Sequence, residues 1–201
     1  MSLFAFHAVV VVLGILSMGF QLLASRLLNP HFGSSIVVWA WLISTFLAAF
    51  SAGSILGGII SNLPDAARRR AGFSCAAVAV ATLGVVAFFG RTLLAGIESA
   101  IADAGVAIAV SCVGVFFLPV TALSTFGPQC VQYLASRGTP PGKASGVVYG
   151  VSTLGNIAGV MLTAFVLIPH LPVSTLLLLW LVVAFVSLTV LLRLIRPASA
   201  S

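Results

Sequence analysis

Charge is what this sequence has least of. Only 6% of its residues are Asp, Glu, Lys or Arg, against about 25% in soluble domains, whose surfaces must face water. Acids are the scarcest: Asp65, Glu98 and Asp103 are all there are. That excludes a soluble catalytic domain. It also starves acid–base and nucleophilic chemistry, which need positioned titratable groups, so no catalytic residue is expected and the chain reads as non-enzymatic. Cysteine is nearly as rare. Cys75, Cys112 and Cys130 are far apart with no CxxC pairing, which excludes a zinc ligand set and a disulfide framework and leaves small buried apolar residues. Histidines number three. His31 and His170, flanked by prolines, fall on one side of the topology derived below and could share a proton, but two are too few for a closed metal site without Glu98 or Asp103. No metal and no cofactor is expected. His7 reads as interfacial. The net charge of +6 comes from basic residues scattered in short gaps between apolar runs, so nucleic acid is not an expected partner.

What the sequence has in abundance is apolar length: 61% of it is hydrophobic. A window of about 20 residues, enough to cross roughly 30 Å of hydrocarbon, gives six spans at about 4–25, 36–62, 72–90, 105–126, 146–168 and 173–194. The expected fold is an all-α integral membrane protein of six transmembrane helices, one domain over 1–197 with a short tail at 198–201. The first span lacks the basic start and small-residue cleavage site of a signal peptide, and reads as retained.

Basic residues orient the spans. With a cytoplasmic N-terminus, Arg68, Arg69, Arg70, Arg137, Lys143, Arg193 and Arg196 fall inside and only Arg26 and Arg91 outside, as the positive-inside rule asks. Both termini are then cytoplasmic, in the inner membrane of a bacterium. Outside, Leu94, Ile97 and Ile101 share one face of the Arg91–Asp103 segment, the pattern of a helix lying in the interface. Inside, Ser124–Lys143 is the longest polar connection, and Pro128 argues for a break from the fourth span. Trp39, Trp41 and Trp180 read as aromatic belt residues.

Gly53, Gly57 and Gly58 of the second span have counterparts in Gly155 and Gly159 of the fifth, at the GxxxG spacing that lets helix backbones approach. Three helices per half would invert the halves across the membrane, a 3+3 repeat of the kind found within each half of major facilitator transporters. Two runs carry a more specific likeness. SRLLNPHFGSSIVVWAWLISTFLAAFSAGSILGG (25–58) and GKASGVVYGVSTLGNIAGVMLTAFVLIPHLPVSTLLLL (142–179) resemble the second- and fifth-helix regions of the membrane portion of bacterial membrane-bound spermidine synthase-like proteins. The resemblance implies a half-major-facilitator-like membrane portion, in relatives followed by an aminopropyltransferase-like domain. Here no strand leads into a GxGxxG-type turn, so the expectation is the membrane portion without the synthase and without its activity. Where related proteins end the second helix GGxxxD, this chain reads GGIISN, with Asp65 three residues further on, which puts a facilitator-type charge gate in doubt even with Arg68 to Arg70 beside it.

Polar residues within or at the ends of spans are the candidate contacts. Asn156, between Gly155 and Gly159, reads as an interhelical hydrogen bond or a substrate contact. Arg26 reads as a side chain snorkelling to the outer interface, bonding carbonyls of the NPHFG turn or an anion. Gln21, Asn62 and Gln129 complete the set. Scarce intramembrane charge favours a membrane partner or anchor subunit, serving a separate synthase-like or other complex subunit through the Ser124–Lys143 loop. The alternative is a small-solute transporter, for amines among others, assembled as a homodimer of two six-helix halves. In either case the lipid bilayer is the solvent. A transporter predicts Asn156 lining a cavity; a subunit predicts a glycine face left for another protein.

Overall fold

The computed structural model describes residues 3–195; Arg196 and the 198–201 tail lie outside the described residues. It is helical throughout, with six helices long and apolar enough to cross a membrane: α1 (Leu3–Phe32), α2 (Ile36–Ser61), α3 (Asp65–Ala100), α4 (Ala104–Ala135), α5 (Pro141–His170) and α6 (Val173–Leu194). The chain is a multi-pass membrane protein. Connections are tight turns, so the helices alternate in direction. One end of the bundle, here the near side, carries the start of α1 and the α2–α3 and α4–α5 turns; the far side carries the other three.

Why the helices start and stop is local chemistry. The Ser35 hydroxyl accepts from the Val38 N–H and opens α2, and an Asp103 carboxylate oxygen accepts from Val106 N–H at 2.8 Å and opens α4, each satisfying an orphan donor of a first turn. Gly33, at φ +70°, provides the reversal between α1 and α2, a conformation that costs glycine little.

Packing sorts the helices into layers. α1 and α4 are central; α1 packs most extensively on α5, and α4 on α2, while α3 and α6 pair with each other and close the opposite side. α2 and α5 barely meet, so a groove floored by α1 and α4 runs between them. Trp180 ties the back to the centre. It is buried, and its indole N–H donates to the Leu16 carbonyl at 3.0 Å, so it is no belt residue: an indole N–H within an apolar interior needs an acceptor, and this one finds it on α1. Trp39 and Trp41 do face outward, near the far-side start of α2.

Three helices overrun their apolar spans, and two expectations fall with them. α3 holds the apolar stretch from Ala71 to Gly90, about 30 Å at 1.5 Å per residue, between Arg70 and Arg91, yet continues unbroken to Ala100. The Arg91–Asp103 segment is therefore not a separate interfacial helix. Its Leu94 is buried, and Glu98 bonds His31 at the extended end of α1 at 2.6 Å; that burial and this bond to α1 hold the extension upright. Likewise Ser124–Lys143 is not one long loop: only 136–140 form the turn. After a local break at Thr125 the helix resumes over Phe126–Ala135 and buries Phe126, Gln129, Cys130 and Leu134. Pro128 sits in the first turn of that resumed segment, where a missing N–H costs little.

Candidate functional site: a polar cavity between two glycine-packed helix pairs

The site is built by glycines. A Cβ added at Gly53 or Gly57 would lie within 3.0 Å of backbone atoms of Thr121 or Thr125 on α4. One added at Gly155 or Gly159 would meet the backbone of Val11 or Ile15 on α1 in the same way. Gly14 answers from α1 against Ser152 and Asn156. With no side chain between them, each pair of backbones sits in direct van der Waals contact. Gly58, by contrast, faces open space.

These close approaches fix α2 and α5 on either side of a cavity of about 220 Å³. Its walls are mainly apolar, with Leu13, Met18, Phe50, Leu123, Phe126 and Val148 among them, and it carries a polar set from all four helices: Ser17, Ser54, Ser124, Tyr149, Ser152 and Asn156. Ser17 and Ser124 donate back to the carbonyls of Leu13 and Val120, the usual self-satisfaction of serine in a helix. Asn156 is different. Its Oδ1 is buried and has no donor, a deficit of about 1–3 kcal/mol if nothing fills it. Of the buried polar atoms without partners, it is the one that lines this cavity. A water or a ligand N–H or O–H placed in the cavity would complete it.

The other candidates lie elsewhere. Arg26 lines a second cavity on the far side, of about 270 Å³, with Ser25, Asn29 and Ser34. The NPHFG stretch that was to hold it is helical up to Phe32, and Arg26 makes no hydrogen bond or ion pair within the described residues. Asn62 caps α2, its Nδ2 donating to the Gly58 carbonyl. Gln129 is buried and donates to the Thr125 carbonyl. Gln21 is half-buried on α1 and lines neither cavity. His31 and His170 do not meet: His31 pairs with Glu98, and His170 Nδ1 bonds the Val166 carbonyl of its own helix at 2.7 Å. No cluster of three metal-ligating side chains occurs among the described residues. Asp65 pairs with Arg68 one turn along α3. Cys112 and Cys130 are buried and Cys75 partly so.

The serines and Tyr149 were missed by sequence reasoning, although a signal existed. Tyr149, Ser152 and Asn156 fall at i, i+3 and i+7, one helical face, as do Phe50 and Ser54 on α2.

No protein-family model, curated protein or solved structure matches the chain.

Proposed function

We propose that the chain is one half of a facilitator-like solute transporter, two copies of which face each other across the α2–α5 groove. The observation that carries this is the unpartnered Asn156 Oδ1 in a cavity where α1, α2, α4 and α5 meet. Polar groups at membrane depth are expensive, and face a pathway or a protein interior rather than lipid. The alternative of an anchor subunit needed two things: a glycine face left free for another protein, and a protruding near-side loop. Gly53, Gly57, Gly155 and Gly159 are instead occupied within the chain, and the Phe126–Ala135 part of the near-side connection is a helix that buries Phe126, Gln129, Cys130 and Leu134.

The inverted 3+3 arrangement belongs to this reading. Matching α1 with α4 and α2 with α5 exchanges the α1–α5 and α2–α4 pairs, and turns the contact of Gly155 and Gly159 with Val11 and Ile15 into that of Gly53 and Gly57 with Thr121 and Thr125. Sites in such folds lie at the repeat interface. Only 17% of the apolar window of α5 is buried inside one copy, which is surface enough for both lipid and a second copy. The lining holds no carboxylate or basic group, so the solute class is a small, uncharged molecule that donates hydrogen bonds, rather than an amine carried as its cation. The kinship with spermidine synthase-like membrane portions is part of the proposal, on the two sequence runs alone.

For orientation, the near side carries Arg68, Arg69, Arg70, Arg137, Lys143 and Arg193 and the far side only Arg26 and Arg91 among the described residues. This supports a near side in the cytoplasm of a bacterial inner-membrane protein. The test is purification in mild detergent with the particle mass and its companions read together. A clean homodimer that moves neutral solutes into proteoliposomes supports the transporter; a stoichiometric companion protein, with no flux, overturns it in favour of the subunit.

A further inference from the structure

The second cavity has its own chemistry, independent of the transport reading. It lies at the far-side end of the bundle between α1, α2 and α5, about 270 Å³ in volume. Its polar wall is Ser25, Arg26, Asn29 and Ser34, and Trp39 and Val38 of α2 flank it. Its apolar wall is Leu22, one turn deeper on α1, with Ala164 and Ile168 of α5.

Arg26 is the centre of the argument. Its charge is permanent, it lies one residue past an uncharged run from Leu3 to Ser25, and no side chain neutralises it. The two carboxylates on this side are committed elsewhere, Glu98 to His31 and Asp103 to the first turn of α4. Around it stand the Asn29 amide and the Ser34 hydroxyl with donors to offer, the Ser25 hydroxyl being bonded to the Leu22 carbonyl of its own helix, and α2 begins at this level with the positive end of its dipole. We infer that this cavity binds a phosphate-bearing anion, with Arg26 as the charge partner and Asn29 and Ser34 as neutral donors. A guanidinium matches phosphate oxygens two at a time. The vertical order of the walls, polar at the rim and apolar one turn deeper, also suits an anionic phospholipid, headgroup on Arg26 and acyl chain along Leu22 and Ala164. Basic pockets between membrane helices hold lipid headgroups in this manner.

The experiment uses the whole chain in mild detergent, with phosphatidylglycerol, phosphatidylcholine and inorganic phosphate as probes. Retention is read by native mass spectrometry and stabilisation by thermal shift. The expected result is retention of phosphatidylglycerol over phosphatidylcholine, weakened about tenfold in Arg26→Gln and unchanged in Arg91→Gln, which removes another exposed charge on the same side from outside the cavity. If inorganic phosphate stabilises the wild type but not Arg26→Gln, and no lipid is preferred, the same site takes the soluble anion. Asn29→Ala combined with Ser34→Ala keeps the charge and weakens binding severalfold, which reads the site even where loss of Arg26 disturbs folding. Indifference of phosphatidylglycerol and inorganic phosphate alike to these variants, or equal losses in Arg26→Gln and Arg91→Gln, overturns the inference.

Discussion

Gly57 and Gly58 are adjacent in sequence and opposite in consequence. At Gly57 an added Cβ falls within 3.0 Å of the Thr125 carbonyl oxygen, carbonyl carbon and Cα, where ordinary contact begins at 3.4 Å. All three obstacles are backbone, so no rotamer change relieves them, and α2 and α4 must separate locally by roughly 1 Å. Overpacking of that kind costs about 1–3 kcal/mol, and a gap of 0.5–1 Å opened elsewhere along the seam forfeits roughly a quarter to a half of each contact it touches. Removing a glycine from a helix returns about 0.5–1 kcal/mol, so Gly57→Ala should lose about 1–2 kcal/mol net. At Gly58 nothing lies within 4 Å, only the helix term remains, and Gly58→Ala should be neutral or slightly stabilising. At about 2–4 °C per kcal/mol for a chain of this size, the two variants should melt about 3–10 °C apart in detergent, with Gly58→Ala the higher. Gly159→Ala, set against the Ile15 backbone, should fall with Gly57→Ala. Equal melting temperatures for Gly57→Ala and Gly58→Ala would refute glycine-mediated pairing of α2 with α4.

Three further outcomes follow from the same geometry. Asn156→Leu removes the buried acceptor without the desolvation it imposes, so the purified protein should melt no lower than the wild type while solute flux in proteoliposomes is lost; unchanged flux would remove Asn156 from the pathway. Trp180→Phe keeps most of the buried ring and deletes the bond to the Leu16 carbonyl, which should cost about 0.5–1.5 kcal/mol as a small drop in melting temperature without loss of expression. For topology, Ser99→Cys on the far side should react with a membrane-impermeant maleimide added to intact cells, and Ser136→Cys on the near side only after the membrane is opened; the reverse pattern inverts the assignment.

What the sequence revealed of this fold and what it hid have one physical cause. Windowed hydropathy reports on lipid, and it found the middle of every span, because there each helix meets hydrocarbon around much of its circumference. It could not find the ends, which are set by protein contacts. α3 runs past Arg91 because Leu94 has a core to bury in and Glu98 has His31 of α1 to bond, and α4 runs past Thr125 because Phe126, Cys130 and Leu134 have somewhere to bury. The same confusion of neighbours put Trp180 in the belt, since composition cannot say that a helix end faces α1 instead of headgroups. At the cavity, Asn156 stood out because an amide is rare at that depth, whereas Ser17 and Ser124 satisfy themselves within their own helices and give no outward sign. The spacing of Tyr149, Ser152 and Asn156 was legible as one face of α5, but a polar face specifies only that something polar lies opposite. That Ser54 of α2 and Ser17 of α1 share the space with it depends on which backbones the glycines allow to touch. In a chain this poor in charge, close backbone contact does the work that ion pairs do elsewhere. A polar group left over after that packing, as Asn156 Oδ1 is, therefore carries more functional information than one of many on a charged surface would.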